Sequence, residues 1–182
     1  LTKGRHLGTS IYSEGSWYGA HSAHWEVRRK AKNQLIATGR WPGLALEQIW
    51  DIVMKSPSSL LMTVSLQLNC QTQIEQQRVE LMASERYGSW FSDYGRGNFP
   101  GAFLESEIDM AQRCIGDGAI GVCDPDRIEL PCLFLKFSRN LNNFFKIFNS
   151  DFFNKARILR AEKVEAEAET KFLPGTYESF QL

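Results

Sequence analysis

The sequence lacks short motifs that define several well-specified enzyme classes. It has no Gly-x-x-x-x-Gly-Lys-Ser/Thr phosphate loop and no Gly-x-Ser-x-Gly nucleophile elbow, and it also has no His-Glu-x-x-His zinc motif. These absences lower the expectation for a nucleotide hydrolase or a serine hydrolase. We therefore expect a non-catalytic chain, and we predict neither a cofactor nor a metal site.

Cysteines and long apolar runs are also scarce. Four cysteines in 182 residues are fewer than a disulfide scaffold requires. We predict buried free thiols and favour an intracellular protein; the cysteines are Cys70, Cys114, Cys123 and Cys132.

No apolar run approaches the roughly 18 residues of a membrane-spanning helix, so we expect a soluble or peripheral protein without a transmembrane segment. Because the first residue is Leu1, we also expect a processed or excised chain.

Charge is balanced in total but uneven along the chain. The sequence has 21 basic and 21 acidic residues, which argues against a protein whose whole surface binds a polyanion. Residues 1–40 carry seven bases and two acids, a net charge of +5, and the remainder carries fourteen bases and nineteen acids, a net charge of −5. The basic patch predicted in the first part consists of Arg28, Arg29, Lys30, Lys32 and Arg40.

Helix-type spacing, caps and propensity predict helices over much of the chain. In residues 72–84 helix propensity competes with the alternation of a hairpin strand at 77–83. The other predicted helices are 22–38, the segment with Leu46, Ile49, Trp50 and Val53, the segment from Leu104 to Ile115, and two helices between Ser138 and about Thr170.

Strict alternation of apolar and polar residues over 59–69 predicts a strand with one buried face. Residues 119–123 and 128–137 are predicted to be buried strands. We expect an α+β fold, in which helices cover a small, mainly antiparallel sheet containing 59–69 and 128–137. The predicted divisions are an extended N-terminal arm (1–20), an α+β domain (21–150), and a C-terminal helix and tail (151–182).

The basic patch lies beside two indoles, those of Trp25 and Trp41. On a helix over 22–38, the cations could contact phosphates while an indole stacks on a base. This pattern makes a nucleic-acid-binding module the second alternative function. A solvated helix face or a protein-binding face is favoured over it.

A different pair of segments suggests an enzyme as the first alternative. Thr63 and Ser65 lie on the alternating strand, and Glu105 and Glu107 form a Glu-x-Glu about forty residues later. This arrangement resembles that of ADP-ribosyltransferases, and the resemblance implies that Glu107 stabilises an oxocarbenium-like ribose. Met62 replaces the first serine of the family's Ser-Thr-Ser, the Glu-x-Glu is predicted to begin a helix, and no upstream arginine stands out.

Aromatic residues give the leading functional interpretation. Seven phenylalanines fall between Phe134 and Phe153, and burying each ring fully would stabilise the fold by roughly 1.5–3 kcal/mol. Residues 87–100 are predicted to form an ordered loop rich in aromatics and glycine. We therefore expect a non-catalytic subunit or interaction module that binds other protein subunits through Phe-rich helices and this loop. The predicted contact residues are Trp90, Tyr94, Phe99, Phe144, Phe145 and Phe148.

Overall fold

A computed structural model describes residues 7–110, 118–127, 129–137, 143–151, 155–166 and 170–182. Within these ranges the chain forms seventeen strands and a 3-10 turn at Ala20–Ser22, with no α-helix. None of this part could cross a membrane as a long apolar helix. The strands are β1 (Leu7–Ser13), β2 (Ser16–Gly19), β3 (His24–Ala31), β4 (Gln34–Arg40), β5 (Leu46–Ser56), β6 (Ser59–Leu68), β7 (Thr72–Gln73), β8 (Gln76–Ser84), β9 (Ser89–Ser92), β10 (Gly95–Asn98), β11 (Ser106–Glu107), β12 (Gly118–Cys123), β13 (Leu133–Phe137), β14 (Asn143–Ser150), β15 (Ala156–Val164), β16 (Lys171–Phe172) and β17 (Gly175–Gln181).

The predicted α+β class is therefore wrong, because the described chain is built from antiparallel sheets and not from helices over one sheet. The strand predicted at 59–69 is confirmed as β6, and the strand predicted at 119–123 is confirmed within β12. The strand predicted at 128–137 is shorter, since β13 covers only Leu133–Phe137. β6 and β13 belong to different sheets, so the single sheet that was to contain both does not exist.

The chain divides into two compact units. Within the described ranges, the first consists of 7–8 and Arg78–Lys163, and the second consists of Thr9–Gln77 and Val164–Leu182. The predicted boundaries at residues 20 and 150 stay predictions. The C-terminal helix assigned to the last segment is wrong, because β15, β16 and β17 occupy its described residues.

The second unit contains a five-stranded antiparallel sheet in the order β17, β6, β5, β4, β3. One face of β6 forms the core of this sheet, and Met62, Val64 and Leu66 are completely buried. Leu66 also belongs to a cluster that includes residues outside the sheet, such as Ile11, Trp41 and Ile74. A β-strand presents alternate side chains to one face, so the alternation in the sequence specified this core.

The helices predicted over 22–38 and from Leu46 to Val53 are wrong. Residues 22–38 supply most of the hairpin of β3 and β4, and Leu46 begins the long strand β5. Trp50 lies opposite Ala37 on one side and Val64 on the other. Branched and aromatic side chains in β5 fit a pleated surface well. Burial between β4 and β6 therefore decides the conformation of this segment.

The first unit contains strands β11, β14, β15 and β8, neighbours in that order in one sheet. It also contains a four-stranded sheet in the order β10, β9, β12, β13. The strand predicted as the alternative for 77–83 is confirmed, since β8 spans Gln76–Ser84, and the helix prediction there is wrong. The predicted hairpin is not formed, because β8 lies beside β15 in a sheet that does not contain β6. The predicted loop at 87–100 instead contains the hairpin of β9 and β10. Residues 104–110 hold only the short strand β11, and 111–115 of the helix predicted there lie outside the described residues.

The Phe-rich segment is also strand where the structure describes it. In β14, Phe145 and Ile147 point to one face and are buried, while Phe144 and Phe148 point to the other and are partly buried. A helix would have placed Phe144, Phe145 and Phe148 together, but the two-residue period of a strand separates neighbours. The predicted Phe-rich helices are therefore wrong; Leu141, Phe152 and Phe153 lie outside the described residues.

Candidate functional site

The four-stranded sheet of the first unit has one buried face. Trp90 of β9 lies opposite Val122 of β12, and Ile120 and Leu135 lie opposite each other on β12 and β13. All four side chains are buried, with exposed fractions between 0% and 8%. This apolar face holds the sheet in the unit, and consequently the side chains that alternate with these residues point to the other face.

The other face carries a row of residues that crosses all four strands. Arg96 of β10 pairs with Phe91 of β9, Phe91 pairs with Gly121 of β12, and Gly121 pairs with Phe134 of β13. We call Arg96, Phe91, Gly121 and Phe134 the aromatic row. Phe134 is 57% exposed, Arg96 is exposed and Phe91 is partly buried. Two rings are thus presented on an open sheet face beside a guanidinium group.

Gly121 makes this arrangement possible because it has no side chain. A Cβ atom there would lie 2.2 Å from Cζ of Phe91 and 2.7 Å from the carbonyl oxygen of Leu133. The Phe91 ring therefore occupies the space above Gly121, between two strands. The backbone carbonyl could not move without disturbing the pairing of β12 and β13, so even alanine would displace the ring or the strand.

The charge around the aromatic row is positive. Lys136 is exposed on the same face, opposite Ala119, and adds a second cation to Arg96. The acidic side chain of Asp93 lies nearby, but among the described residues it does not pair with either cation. Its carboxylate instead accepts a hydrogen bond from the Ala119 amide at 2.9 Å. Within the part of the chain that the structure describes, neither Arg96 nor Lys136 forms a salt bridge. The face therefore combines aromatic area with two available positive charges.

The predicted contact residues divide into buried and accessible groups. Trp90, Phe99 and Phe145 are 8%, 8% and 2% exposed, so they pack inside the protein. Tyr94 is 47% exposed in the turn between β9 and β10. The remaining two, Phe144 and Phe148, are partly buried on one face of β14. The structure thus does not bring the six predicted residues together on one surface.

A buried arginine in the first unit was not predicted from the sequence. Arg157 of β15 is 4% exposed, and its guanidinium carbon lies 4.2 Å from the centre of the Phe99 ring and 4.1 Å from that of Phe103. Its Nε donates to the carbonyl oxygen of Tyr87 at 3.1 Å, and its Nη1 donates to Oδ1 of Asn149. Arg157 therefore fastens three neighbouring segments together around one cation.

Burial lowers the pKa of Arg157 from its usual value to about 10, and the charge of Glu85 acts in the opposite direction. The side chain is still a cation at neutral pH. Two ring faces and two acceptors surround it, and both kinds of contact stabilise a positive charge. The only sequence signal is an arginine inside the apolar run Ala156, Arg157, Ile158, Leu159.

The residues of the enzyme alternative belong to different units. Ser65 is on β6 of the second unit, and Glu105 and Glu107 are in the first. Glu105 accepts a hydrogen bond from the Ser150 hydroxyl. Glu107 ends the two-residue strand β11 and lies 3.8 Å from Nζ of Lys146, so its predicted position at the start of a helix is wrong. The transferase hypothesis stays a prediction.

Glu107 is one end of a line of charges that crosses four strands. Nζ of Lys146 on β14 lies 2.6 Å from Oε1 of Glu162 on β15. The other carboxylate oxygen of Glu162, Oε2, lies 3.4 Å from Nε of Arg78 on β8. On the same sheet Arg160 of β15 contacts Glu80 of β8 at 2.5 Å. Glu162 is 5% exposed, so its carboxylate is a buried anion between two cations. These pairs connect neighbouring strands of the sheet through their side chains.

The basic patch is on the β3–β4 hairpin and not on a helix. Arg28, Arg29, Lys30 and Lys32 are exposed there, whereas Arg40 forms salt bridges with Glu26 at 3.2 Å and Glu47 at 2.6 Å. These carboxylates raise the pKa of Arg40 above its usual value. The charge of Arg40 is therefore paired with carboxylates, whereas the charges of the other four residues remain available.

The two indoles considered for stacking on a nucleic-acid base have other contacts, and Trp41 is only 4% exposed. The ring of Trp25 lies 4.4 Å from that of Trp50 and 6.5 Å from that of Trp41, measured between centroids. Its Nε1 donates to the carbonyl oxygen of Ala20 at 2.7 Å, and its ring covers Gly39. Trp25 is thus packed in the second unit and only partly exposed.

The prediction of buried thiols is wrong for two cysteines, since Cys70 and Cys132 are exposed. Cys123 is partly buried, and desolvation together with the neighbouring Cys132 raises its pKa. All three are free, and Cys114 lies outside the described residues. No cluster of three metal-binding side chains occurs among the described residues.

The run from Gly116 to Gly121 fits the pattern Gly-x-Gly-x-x-Gly, which in dinucleotide-binding proteins lies between a strand and a helix. Here its last four residues belong to strand β12, Gly118–Cys123. Gly121 serves the aromatic row in the middle of a sheet. The local structure therefore does not fit a dinucleotide loop.

Comparisons with known proteins do not indicate a family for this chain. No family model, curated protein or solved structure matches the chain. The described fold defines it as a protein of antiparallel β-sheets.

Proposed function

We propose that this chain is a non-catalytic interaction module whose aromatic row binds a protein partner. The observation that carries the proposal is the alignment of Arg96, Phe91, Gly121 and Phe134 across four strands of one sheet face. The partner segment presents an apolar side chain to the rings and a carboxylate to Arg96 or Lys136. Aromatic residues and arginine dominate the binding energy of many protein interfaces, which supports this choice of ligand.

The geometry supports a partner that lies across the strands. Neighbouring strands are about 4.8 Å apart, so Phe91 and Phe134, on either side of Gly121, have backbones about 10 Å apart. A short peptide can span this distance and contact both rings. The sheet positions both residues before binding, which reduces the conformational entropy that binding removes.

A phage-displayed peptide library, selected on the whole purified chain, tests the proposal. We expect enriched peptides that combine apolar and acidic residues. Phe134→Ser should weaken a selected peptide at least tenfold, and Arg96→Glu should weaken it similarly by repelling its carboxylate. Because both side chains are exposed, these variants should keep the fold.

Leu104→Ser is the matched control, since Leu104 is 65% exposed in the same unit but is not in the aromatic row. It should leave peptide binding unchanged. Equal losses in all three variants would show that the peptides bind elsewhere. Failure to select any peptide, or binding of a glycan array through Phe134 instead, would refute a protein ligand for this surface.

A further inference from the structure

The second unit carries a separate surface at one end of its five-stranded sheet. The β3–β4 turn and the β5–β6 turn lie side by side there, because Asn33 exchanges hydrogen bonds with Met54 across the two hairpins. The Met54 amide donates to the Asn33 carbonyl at 2.8 Å, and the Asn33 side chain donates to the Met54 carbonyl at 3.1 Å. We call residues 27–36 and 52–62 together the sheet tip.

Apolar side chains at the sheet tip are uncovered. Met54 and Leu60 are directly opposite each other, and they are 60% and 52% exposed. Leu35 is 40% exposed and lies opposite Ile52. On β3, Arg29 lies opposite Leu35, and Val27, two residues before Arg29, is 64% exposed.

These residues are on the face that is buried further along the sheet. Met62 follows Leu60 on the same side of β6 and is completely buried, as is Val64. The apolar face therefore continues from the core into an exposed patch at the tip. Contiguous exposed apolar area of this kind marks an interaction surface.

The sheet tip is also strongly cationic. Residues 27–36 contain four bases and residues 52–62 contain one, and neither segment contains an acid, which gives a net charge of +5. The bases are Arg28, Arg29, Lys30, Lys32 and Lys55, and all are exposed. In the described part of the chain none of them forms a salt bridge.

We infer that the sheet tip binds the surface of an anionic lipid bilayer. An anionic membrane is complementary to both properties, because its headgroups attract the five cations and its interface accepts the aliphatic side chains. Nucleic acid fits less well. It would use the cations, but Val27, Leu35, Met54 and Leu60 offer it no ring on which a base could stack.

Sedimentation of the whole chain with vesicles tests this inference. We expect it to bind vesicles of phosphatidylcholine containing about one third phosphatidylserine, and to bind pure phosphatidylcholine at least tenfold more weakly. Raising the salt concentration from 0.1 to 0.5 M should weaken binding, since it screens the cations. Each cation near such a surface contributes about 1 kcal/mol, so Arg29→Glu with Lys30→Glu should weaken binding by about 30-fold or more.

A second variant separates lipid binding from attraction between charges alone. Met54→Ser with Leu60→Ser leaves the net charge unchanged and should also weaken vesicle binding at least tenfold. Lys171→Glu and Leu173→Ser are the matched controls, because both side chains are exposed in the same unit away from the sheet tip. Each should bind vesicles like the parent, and circular dichroism should show the same fold in all variants.

Three results would overturn the inference. The first is equal binding, or no binding, to neutral and anionic vesicles. The second is normal vesicle binding by the Met54 and Leu60 variant, since charge alone would then explain the attraction. The third is tighter binding of homopolymeric RNA or polyglutamate than of anionic vesicles, which would assign the surface to a nucleic acid or an acidic protein. None of these results bears on the aromatic row, which is in the other unit.

Discussion

The side chain of Arg157 shows how one buried charged residue can connect several segments of a β-sheet unit. At neutral pH its lowered pKa means that burial of the cation itself opposes folding. This opposition would weaken only as the pH rose above about 10, where the buried side chain loses its proton before that of the unfolded chain does. Two rings and two oxygen acceptors offset the cost. The cation is retained because its contacts connect β15 to the segments of Tyr87, Phe99 and Asn149.

Replacing Arg157 with leucine should lower the free energy of unfolding by about 2–4 kcal/mol, because the acceptors on Tyr87 and Asn149 would be buried without a donor. Urea denaturation measures the change. Arg127→Leu is the control, since Arg127 is exposed and losing its salt bridge to Asp124 should alter stability by less than about 1 kcal/mol. A neutral or stabilising effect of Arg157→Leu would show that the two rings tolerate an apolar residue equally well.

The contacts of Arg157 could not be predicted from the sequence. Its partners come from segments 8 to 70 residues away, and charged residues are normally placed on the surface when only the sequence is known. Tyr94 was predicted to be accessible and is exposed, but Trp90 and Phe99 are core residues. The aromatic residues of the hairpin have alternating directions, which composition alone does not reveal.

At the scale of strands, the line of charges through Glu107, Lys146, Glu162 and Arg78 stabilises one sheet. Desolvation lowers the pKa of Arg78, and the nearby charge of Arg160 lowers it further, while Glu162 raises it. The buried carboxylate of Glu162 therefore neutralises cations on both neighbouring strands. Cross-strand pairs of opposite charge stabilise sheets in this way.

Substitution of Glu162 by glutamine should lower the free energy of unfolding by about 2–3 kcal/mol, because Lys146 and Arg78 lose the anion between them. Thermal and urea denaturation measure the loss. Glu129→Gln removes an exposed salt bridge to Arg86 and should cost less than about 1 kcal/mol. If both variants were equally stable, the sheet would not depend on the buried carboxylate.

The helix predictions failed for a geometric reason. Residues i and i+4 lie on the same face in both a helix and a strand, so Val27, Ala31 and Leu35 could suggest a helical stripe. In the structure a turn separates β3 from β4 between Ala31 and Gln34, and the three residues belong to two strands. β6 was predicted correctly because its apolar residues occur strictly at every second position.

For the whole molecule, the strand content makes a spectroscopic prediction. Far-ultraviolet circular dichroism of the intact chain should show the single minimum of β-structure and lack the double minimum of helices. In hydrogen exchange, amides of β6 should be better protected than those of β3, because β6 is paired on both sides whereas all but one of the β3 side chains are exposed. A helical spectrum, or equal exchange in β3 and β6, would contradict this fold.

The sequence by itself determined the alternation that buries one face of β6, the strand at 119–123 and the concentration of cations before residue 40. These properties are local, since each follows from residues that are close together in the chain. Only the tertiary structure decided that Phe91, Gly121 and Phe134 form one row and that Met54 contacts Asn33 at the sheet tip. Register between strands makes such neighbours, and register depends on burial and pairing over the whole sheet.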